Sequence, residues 1–353
     1  MKTRPLGRSG VQVSAVGVGC NPLSGSYGSR DDDESVRMIH RALDLGVTLF
    51  DTGDVYGHGH NEKLLGRALA GRRDEALIAT KFGAVLASDA TESDRSGLPK
   101  RSSIDGTPAY VKAACEASLR RLGVDTIDLY QQHRVDPTTP IEDTVGALAE
   151  LVAEGKIRYI GLCEAGESDL RRAVGEHPVA TLQSEYSLIE RGLEGGMLGV
   201  CEELGVSLVP FAPLGRGLLS GTLTADTQLE DGDIRLSGAF PRLAAESLTA
   251  NARLADAVRA IAASYHATPA QIALAWLLSR REWIIPIPGM PDDPRHLEEN
   301  VASDTILLDA ADIASLDALG EQVTGDRYKP ELATNAGAST PPRGRSDTVE
   351  AGR

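Results

Sequence analysis

The chain has 353 residues, of which 41% are hydrophobic, and its formal net charge is −15. This length suits one α/β barrel of ~250 residues plus insertions, and the charge argues against binding to nucleic acids or anionic membranes. No apolar run approaches the ~20 residues of a membrane span. The first residues lack the apolar stretch of a secretion signal, and the four cysteines show no metal-binding spacing. We therefore expect a cytoplasmic protein without a metal site.

Short apolar runs, many of them β-branched, alternate with helical patterns along the chain. Before the first run, residues 3–13 are typical of a short hairpin that turns around residues 8–10. Eight runs followed by helical patterns predict a parallel sheet built from βα units. The runs occupy residues 15–19, 48–51, 77–80, 127–131, 157–162, 180–184, 207–211 and 284–286.

The intervening helices carry boundary signals of their own. Acidic residues 31–34 open the first helix, where negative charge is favourable, and Gly46 follows its end. Thr107 and Pro108 open a later helix that ends before Gly123. The repeated passage from helix through glycine to strand favours a single α/β barrel.

Two long segments interrupt the alternation, at residues 83–106 and 221–248. Both follow predicted strands, so they lie at the C-terminal face of the barrel, where long loops shape substrate access. Because no linker divides the chain before residue 335, we predict one domain over residues 1–334. Residues 335–353 are rich in Ser, Thr, Pro and Gly and are predicted to form a disordered tail.

Polar residues follow consecutive predicted strands at the rim where a parallel barrel places its active site. Asp51 ends the second strand, Tyr56 lies in the loop after it, Lys81 follows the third strand, and His133 follows the fourth. A free phenol has a pKa near ~10, and a neighbouring ammonium lowers that pKa. Lys81 would supply the ammonium, Asp51 would orient it, and His133 would hydrogen-bond a substrate carbonyl. The set predicts a proton donor for carbonyl reduction, with Tyr56 as the acid.

Each of these residues has a structural explanation when it is taken alone. Asp51 could cap the following turn, Tyr56 could be an exposed aromatic of the loop, and His133 could be a hydrogen-bonded core histidine. Lys81 is harder to explain in this way, because a charge at the end of an apolar strand needs a partner. Their joint placement on adjacent strand ends favours the catalytic interpretation.

Several stretches match the sequence pattern of one protein family: FDTGDVYG at 50–57, TKFG at 80–83, DLYQQHRVDP at 128–137, QSEYSL at 183–188 and PLGRG at 213–217. Through them the chain resembles the aldo-keto reductase superfamily, in its bacterial, fungal and plant branch, from about residue 4 to residue 329. The resemblance implies a (β/α)8 TIM barrel with an N-terminal hairpin and long loops at the C-terminal face. It implies an NAD(P)H-dependent oxidoreductase acting on a small-molecule aldehyde or ketone. Its catalytic tetrad would be Asp51, Tyr56, Lys81 and His133.

The same resemblance implies which residues hold the cofactor. They lie beside the carboxamide, stack on the nicotinamide, border the pyrophosphate at 213–217 and hold the adenosine end at 289–300. These residues are Cys163, Glu164, Gln183, Phe211, Pro213, Leu214, Arg216, Gly289, Arg295, Glu299 and Asn300.

The adenosine end departs from the family pattern. Relatives often place Lys and Arg where this chain has Asp292 and Asp293, and Arg295 or His296 is the nearest base. Acids are unfavourable beside a 2′-phosphate and tolerable near a free ribose. The resemblance favours NADP(H) as the cofactor, with NAD(H) as the alternative.

Three other functions remain open on the sequence. Some relatives reduce nucleotide-sugar or cyclic secondary-metabolite intermediates at C=O or an activated C=C, and Ile189, where this branch often has Trp, would widen such a pocket. Others are cofactor-binding regulatory or redox-sensing subunits with little turnover. A Schiff base at Lys81 would instead indicate an aldolase or hydrolase barrel. The side chains of Asp51, Tyr56 and His133 beside it and the cofactor-like segments argue against this.

Overall fold

The computed structural model describes residues 1–87, 101–224 and 226–330, together with residues 340, 341 and 343, and leaves out the side chains of residues 101 and 102. The strands are β1 Thr3–Pro5, β2 Gln12–Ser14, β3 Val18–Gly19, β4 Leu49–Asp51, β5 Leu77–Phe82, β6 Ala84–Leu86, β7 Arg101–Ile104, β8 Ile127–Gln132, β9 Ile157–Cys163, β10 Val179–Glu185 and β11 Ser207–Phe211. The α-helices are α1 Asp32–Asp44, α2 His60–Leu69, α3 Pro108–Leu122, α4 Ile141–Ala153, α5 Glu167–Glu176, α6 Met197–Leu204, α7 Ala245–Ser264, α8 Pro269–Arg280, α9 Pro294–Ala302 and α10 Ala310–Gly320.

Seven of these strands form one parallel sheet in the order β11-β10-β9-β8-β5-β4-β3. Neighbours in the sheet follow each other along the chain, and a helix separates each consecutive pair from β3 to β11. All carboxyl ends therefore lie at the same rim. This arrangement confirms the predicted α/β barrel and its C-terminal face.

The eighth predicted strand closes the barrel without becoming a regular strand. Single bridges join Ile284 to Leu208 and Ile287 to Phe211 on one side, and Gly289 to Gly19 on the other. The backbone N–H of Ile287 donates to the carbonyl oxygen of Pro210 at 3.0 Å. On the other side, the N–H of Gly19 donates to the carbonyl oxygen of Pro288 at 2.9 Å. Pro286 and Pro288 have no N–H to donate, so a continuous ladder cannot form here.

The predicted N-terminal hairpin is present and covers the amino ends of the strands. Strands β1 and β2 pair antiparallel, and the buried side chains of Leu6 and Val13 pack in one cluster with strand residues such as Leu49 and Val209. Gly7 approaches so closely that a Cβ there would lie 2.5 Å from the carbonyl oxygen of Ala180, near the start of β10. The hairpin therefore plugs the end of the barrel opposite the rim.

The two predicted long loops contain more structure than expected. Strands β6 and β7 form an antiparallel hairpin within residues 83–106, and residues 88–100 of this segment lie outside the described part. The second segment, 221–248, contains short helical turns at Ile234–Ser237 and Pro241–Leu243 before α7 begins. Both segments approach the rim, because Ser103, Ile104 and Phe240 line its cavity.

The predicted tail at 335–353 lies mostly outside the described residues. Thr340 within it is buried, and its hydroxyl donates to the Asp169 carboxylate of α5 at 2.9 Å. Arg172 donates to the carbonyl oxygen of the same threonine at 2.9 Å. Thr340 thus contacts α5. Disorder of the rest of residues 335–353, which lies outside the described residues, stays a prediction.

Candidate active site

The four predicted catalytic residues meet at the rim. Asp51 is the last residue of β4, Lys81 lies in the neighbouring β5, and His133 follows β8, which pairs with β5 through Lys81 and Gln131. Tyr56 opens a short helical turn just after β4. Parallel register between adjacent strands is what brings these residues, far apart along the chain, into contact.

Lys81 is the centre of this group and its side chain is fully buried (0% exposed). Its Nζ donates to the Asp51 carboxylate, to the Thr52 carbonyl at 2.7 Å and to the Tyr56 hydroxyl at 3.1 Å. Burial alone would lower the pKa of Lys81, but Asp51 and Tyr56 outweigh burial and raise that pKa above its ordinary value. Lys81 therefore stays an ammonium whose three protons all have acceptors.

Asp51 is held by amide groups as well as by the ammonium. Its second carboxylate oxygen accepts from Gln131 Nε2 at 3.1 Å and from Gln183 Nε2 at 2.7 Å. These donors fix the carboxylate in one orientation and so fix the direction in which Lys81 faces Tyr56. Gln183, expected beside the cofactor, thus also supports the Asp51–Lys81 pair.

The pKa of Tyr56 differs from the expectation based on Lys81 alone. Burial raises the pKa of Tyr56 above its ordinary value, and the Lys81 ammonium opposes this rise without cancelling it. Lys81 acts in the predicted direction, but removal from water disfavours the phenolate more than one cation favours it, so the pKa is raised overall. Tyr56 consequently keeps its proton at neutral pH.

His133 lies against the phenol. The two rings meet edge to face, with centroids 5.7 Å apart and an angle of 86° between the planes. The backbone N–H of His133 donates to the Phe82 carbonyl at 2.7 Å, which fixes the residue beside β5. The phenol and the imidazole therefore face the same opening.

That opening is a cavity of about 1180 Å³ at the C-terminal rim. It is large enough for an extended organic molecule together with a small substrate. Eleven of the predicted site residues line it: Asp51, Tyr56, His133, Gln183, Phe211, Pro213, Leu214, Arg216, Gly289, Glu299 and Asn300.

Four predicted residues do not line the cavity. Lys81 lies behind Tyr56, and Cys163 and Glu164 are buried at the end of β9. The Arg295 side chain is 82% exposed and pairs with Asp293 at 2.5 Å, which also accepts from the Arg295 N–H at the start of α9. These contacts lower the pKa of Asp293 to about 2. Ile189 is buried beneath Gly215 and is not among the residues that line the cavity, so a wider pocket at this position stays a prediction.

The segment 289–300, which the resemblance assigns to the adenosine end of the cofactor, also contacts an arginine that the sequence does not predict. Arg30 lines the cavity, pairs with Asp292 at 2.5 Å and donates to the Met290 carbonyl at 2.8 Å. Arg30 lies in the loop after β3, the strand that Gly289 of the eighth segment bridges. Nothing in the local sequence around Arg30 indicates this contact.

The segment after α10 also contributes residues that the sequence did not single out. Arg327 pairs with Glu164 at 2.9 Å and donates to Glu185 at 2.8 Å, and its guanidinium lies 5.5 Å from the centre of the Phe211 ring. Burial alone would raise the pKa of Glu164, but Arg327 and then Arg134 outweigh it and hold that pKa below its ordinary value.

Tyr328 extends the same network. Its hydroxyl accepts from Arg216 at 3.0 Å, and Arg216 also pairs with Glu185 at 3.0 Å. An aromatic residue flanked by charges at 326–329, between the last helix and a polar tail, is the one signal that the sequence offered for this segment.

Within the described ranges, no helix is long and apolar enough to cross a membrane. Among the same residues, no cluster of three or more His, Cys, Asp or Glu side chains is placed to hold a metal ion.

Known proteins resemble this chain over nearly its whole length. Residues 15–321 match the model of the aldo/keto reductase family. The probable aldo-keto reductase 1 of Glycine max is 40% identical over 328 residues, which cover 92% of this chain and 90% of that protein.

Two solved structures show the same likeness in three dimensions. The glycerol dehydrogenase AKR11B4 from Gluconobacter oxydans has a TM-score of 0.79 at 28% identity, with 93% of this chain and 98% of that chain covered. The aldo-keto reductase AKR11C1 from Bacillus halodurans, solved in its holo form, has a TM-score of 0.72 at 28% identity, with 94% and 99% covered. The chain therefore belongs to the aldo/keto reductase family of oxidoreductases, which generally use nicotinamide cofactors.

Proposed function

We propose that the protein reduces an aldehyde or ketone with a nicotinamide cofactor and that Tyr56 is the proton donor. One observation carries the proposal: a buried ammonium, Lys81, is bonded to a carboxylate on one side and to a phenol on the other, and that phenol lines the large cavity of the rim. Such a pair of charges behind a protonated phenol is suited to general acid catalysis.

The cavity's residues fit a dinucleotide. The Phe211 ring offers an aromatic surface, Gln183, Glu299 and Asn300 offer polar groups, and Gly289 leaves no room for a side chain, since a Cβ there would lie 2.9 Å from Pro22. When bound, the nicotinamide supplies the hydride. We take NADP(H) as the cofactor, supported by the guanidiniums of Arg30 and Arg295 at the adenosine end, with NAD(H) as the alternative.

The proton chemistry follows from the contacts of Tyr56. A substrate carbonyl oxygen that gains negative charge takes the phenolic proton, and His133 at the same opening hydrogen-bonds and orients that oxygen. As the phenolate forms, it faces the Lys81 ammonium across 3.1 Å in a site removed from water. The interaction is therefore stronger after proton transfer than before it, which lowers the barrier.

The state of Lys81 argues against Schiff-base chemistry. A nucleophilic lysine must be neutral, whereas the pKa of Lys81 is raised and its three protons are engaged. This favours the reductase over the aldolase or hydrolase interpretation.

The experiment that tests the proposal replaces the phenol alone. Tyr56→Phe should lower kcat/KM for aldehyde reduction by about 10²- to 10⁴-fold while cofactor binding, followed by fluorescence titration with NADPH and NADH, stays near the unmodified value. Tyr265→Phe is the matched control, because this phenol donates to Asp312 outside the cavity. Wild-type turnover in Tyr56→Phe would refute the mechanism.

A further inference from the structure

Arg134 follows His133 directly and lines the same cavity as Tyr56. Neighbouring lining residues on this side are Ser103, Ile104, Pro137 and Thr138, away from the adenosine end at Asn300. A positive charge therefore lies next to the place where the carbonyl group would bind.

In the described part of the chain, four arginines line this cavity, and three of them are paired with carboxylates. Arg216 pairs with Glu185 at 3.0 Å, Arg235 with Asp233 at 2.6 Å and Arg30 with Asp292 at 2.5 Å. Arg134 differs from them, since its one hydrogen bond among these residues goes from its Nη1 to the carbonyl oxygen of His133, at 2.8 Å. Most of its donors are left for something that enters the cavity.

The nearby acids are already engaged. Asp136 accepts from the Gly106 N–H at 2.8 Å, from the Thr138 N–H at 2.8 Å and from the Thr139 hydroxyl at 2.8 Å. Glu164 pairs with Arg327 and accepts from the Glu185 N–H at 2.9 Å. Arg134 acts on Glu164 through space without forming an ion pair with it. No described carboxylate thus neutralises this guanidinium.

We propose that Arg134 binds a carboxylate of the substrate, so that the preferred substrates are aldehydes or ketones that also carry one carboxylate group. The inference rests on the proposed carbonyl reduction and specifies its substrate class. A guanidinium matches the planar, two-oxygen geometry of a carboxylate. One unpaired guanidinium among the described lining residues corresponds to one negative charge. The net charge of −15 repels anions at long range, so a local cation is required to hold one.

The test compares an acid with its neutral ester. The substrates are 4-formylbenzoate and methyl 4-formylbenzoate, which carry the same aldehyde. In Arg134→Gln, kcat/KM for the acid should fall by about 10- to 100-fold, mainly through KM, while kcat/KM for the ester changes little. Arg134→Lys should recover part of the loss. Arg171→Gln, which changes an exposed arginine paired with Glu203 away from the cavity, should leave the acid-to-ester ratio unaltered.

Ionic strength provides a second measurement, on the unmodified protein and on Arg134→Gln. Raising it from about 0.01 M to about 1 M shortens the screening length from about 30 Å to about 3 Å. Salt screens the repulsion by the net charge of −15 in both proteins, so the attraction by Arg134 is measured as a steeper fall of the acid-to-ester ratio in the unmodified protein than in Arg134→Gln. An acid-to-ester ratio that Arg134→Gln does not change would overturn the proposal. Reduction of the ester alone by every variant would reject the carboxylate site and keep the carbonyl reductase, whereas turnover of neither aldehyde would reject the proposed function itself.

Discussion

The two ends of the cavity treat charge in different ways. At the Tyr56 end, Lys81 and Asp51 are buried, with side chains 0% and 5% exposed, and each has several hydrogen-bond partners. At the end that we expect to hold the adenosine, the side chain of Asp292 is 79% exposed and pairs with Arg30. There the largely exposed Arg295 pairs with Asp293, two residues before it.

This difference determines what each end can do. Charges removed from water interact strongly and are costly to leave unpaired, so the inner network sets one protonation state and one geometry. Exposed pairs contribute only about 0–1 kcal/mol each. We therefore expect the inner end to fix the proposed proton chemistry, and substitutions at the outer end to cost little stability.

The largest effect is expected from breaking the inner end at Lys81. Lys81→Met removes the cation that opposes burial, so the pKa of Tyr56 should rise further and aldehyde reduction should fall by about 10²- to 10⁴-fold. Reduction needs the protonated phenol, so activity is lost as pH rises through the pKa of Tyr56. The alkaline limb of the pH profile should consequently move to higher pH in the variant.

Lys112→Met is the control for this change, because Lys112 pairs with Glu150 on the helical surface. The control should keep both the rate and the pH profile. An unshifted alkaline limb in Lys81→Met would mean that Lys81 does not act through Tyr56.

An intermediate effect is expected at Arg327, which links the inner network to the C-terminal segment. Arg327→Met leaves the buried Glu164 without its ion-pair partner. It also removes one of the two arginines that pair with Glu185, so that Arg216 alone remains. The free energy of unfolding should fall by about 3 kcal/mol, measured by urea denaturation. Arg171→Met, which breaks an exposed pair with Glu203, should cost under about 1 kcal/mol. Equal losses in the two variants would show that burial adds nothing at Arg327.

The smallest effect is expected at the outer end. Asp292→Asn frees Arg30 for a 2′-phosphate and should shift the ratio of Kd values toward NADPH over NADH by up to about 5-fold. Glu298→Gln, on the adjacent helix, breaks an exposed pair with Arg41 and should leave this ratio unchanged. A shift toward NADH in Asp292→Asn would contradict the assigned role of Arg30.

The fold and the four rim residues were predictable because their signals are local. Apolar runs, helix-ending glycines and polar residues at strand ends all lie within a few residues of each other, and parallel pairing then brings Asp51, Lys81 and His133 together. The irregular eighth segment also has a local signal, because Pro286 ends the predicted run 284–286 and Pro288 follows two residues later.

Other features of the site depend on contacts between residues that are far apart in the sequence. Arg327 reaches Glu164 and Arg30 reaches Asp292 only after the barrel has closed, so no local pattern marks them. The direction of the pKa of Tyr56 likewise depends on depth: the sequence identifies the neighbouring ammonium but not the extent of burial that outweighs it.

The seam at the eighth segment has a consequence for how the barrel holds together. It joins Gly19 to Gly289, two residues separated by most of the chain, through a few backbone hydrogen bonds and no continuous ladder. Joining residues so far apart along the chain costs loop-closure entropy, and regions held by few hydrogen bonds open at a low cost in free energy. Gly19 and Gly289 both line the cavity, so we expect a molecule bound there to contact both edges of the seam and to stabilise the closed barrel.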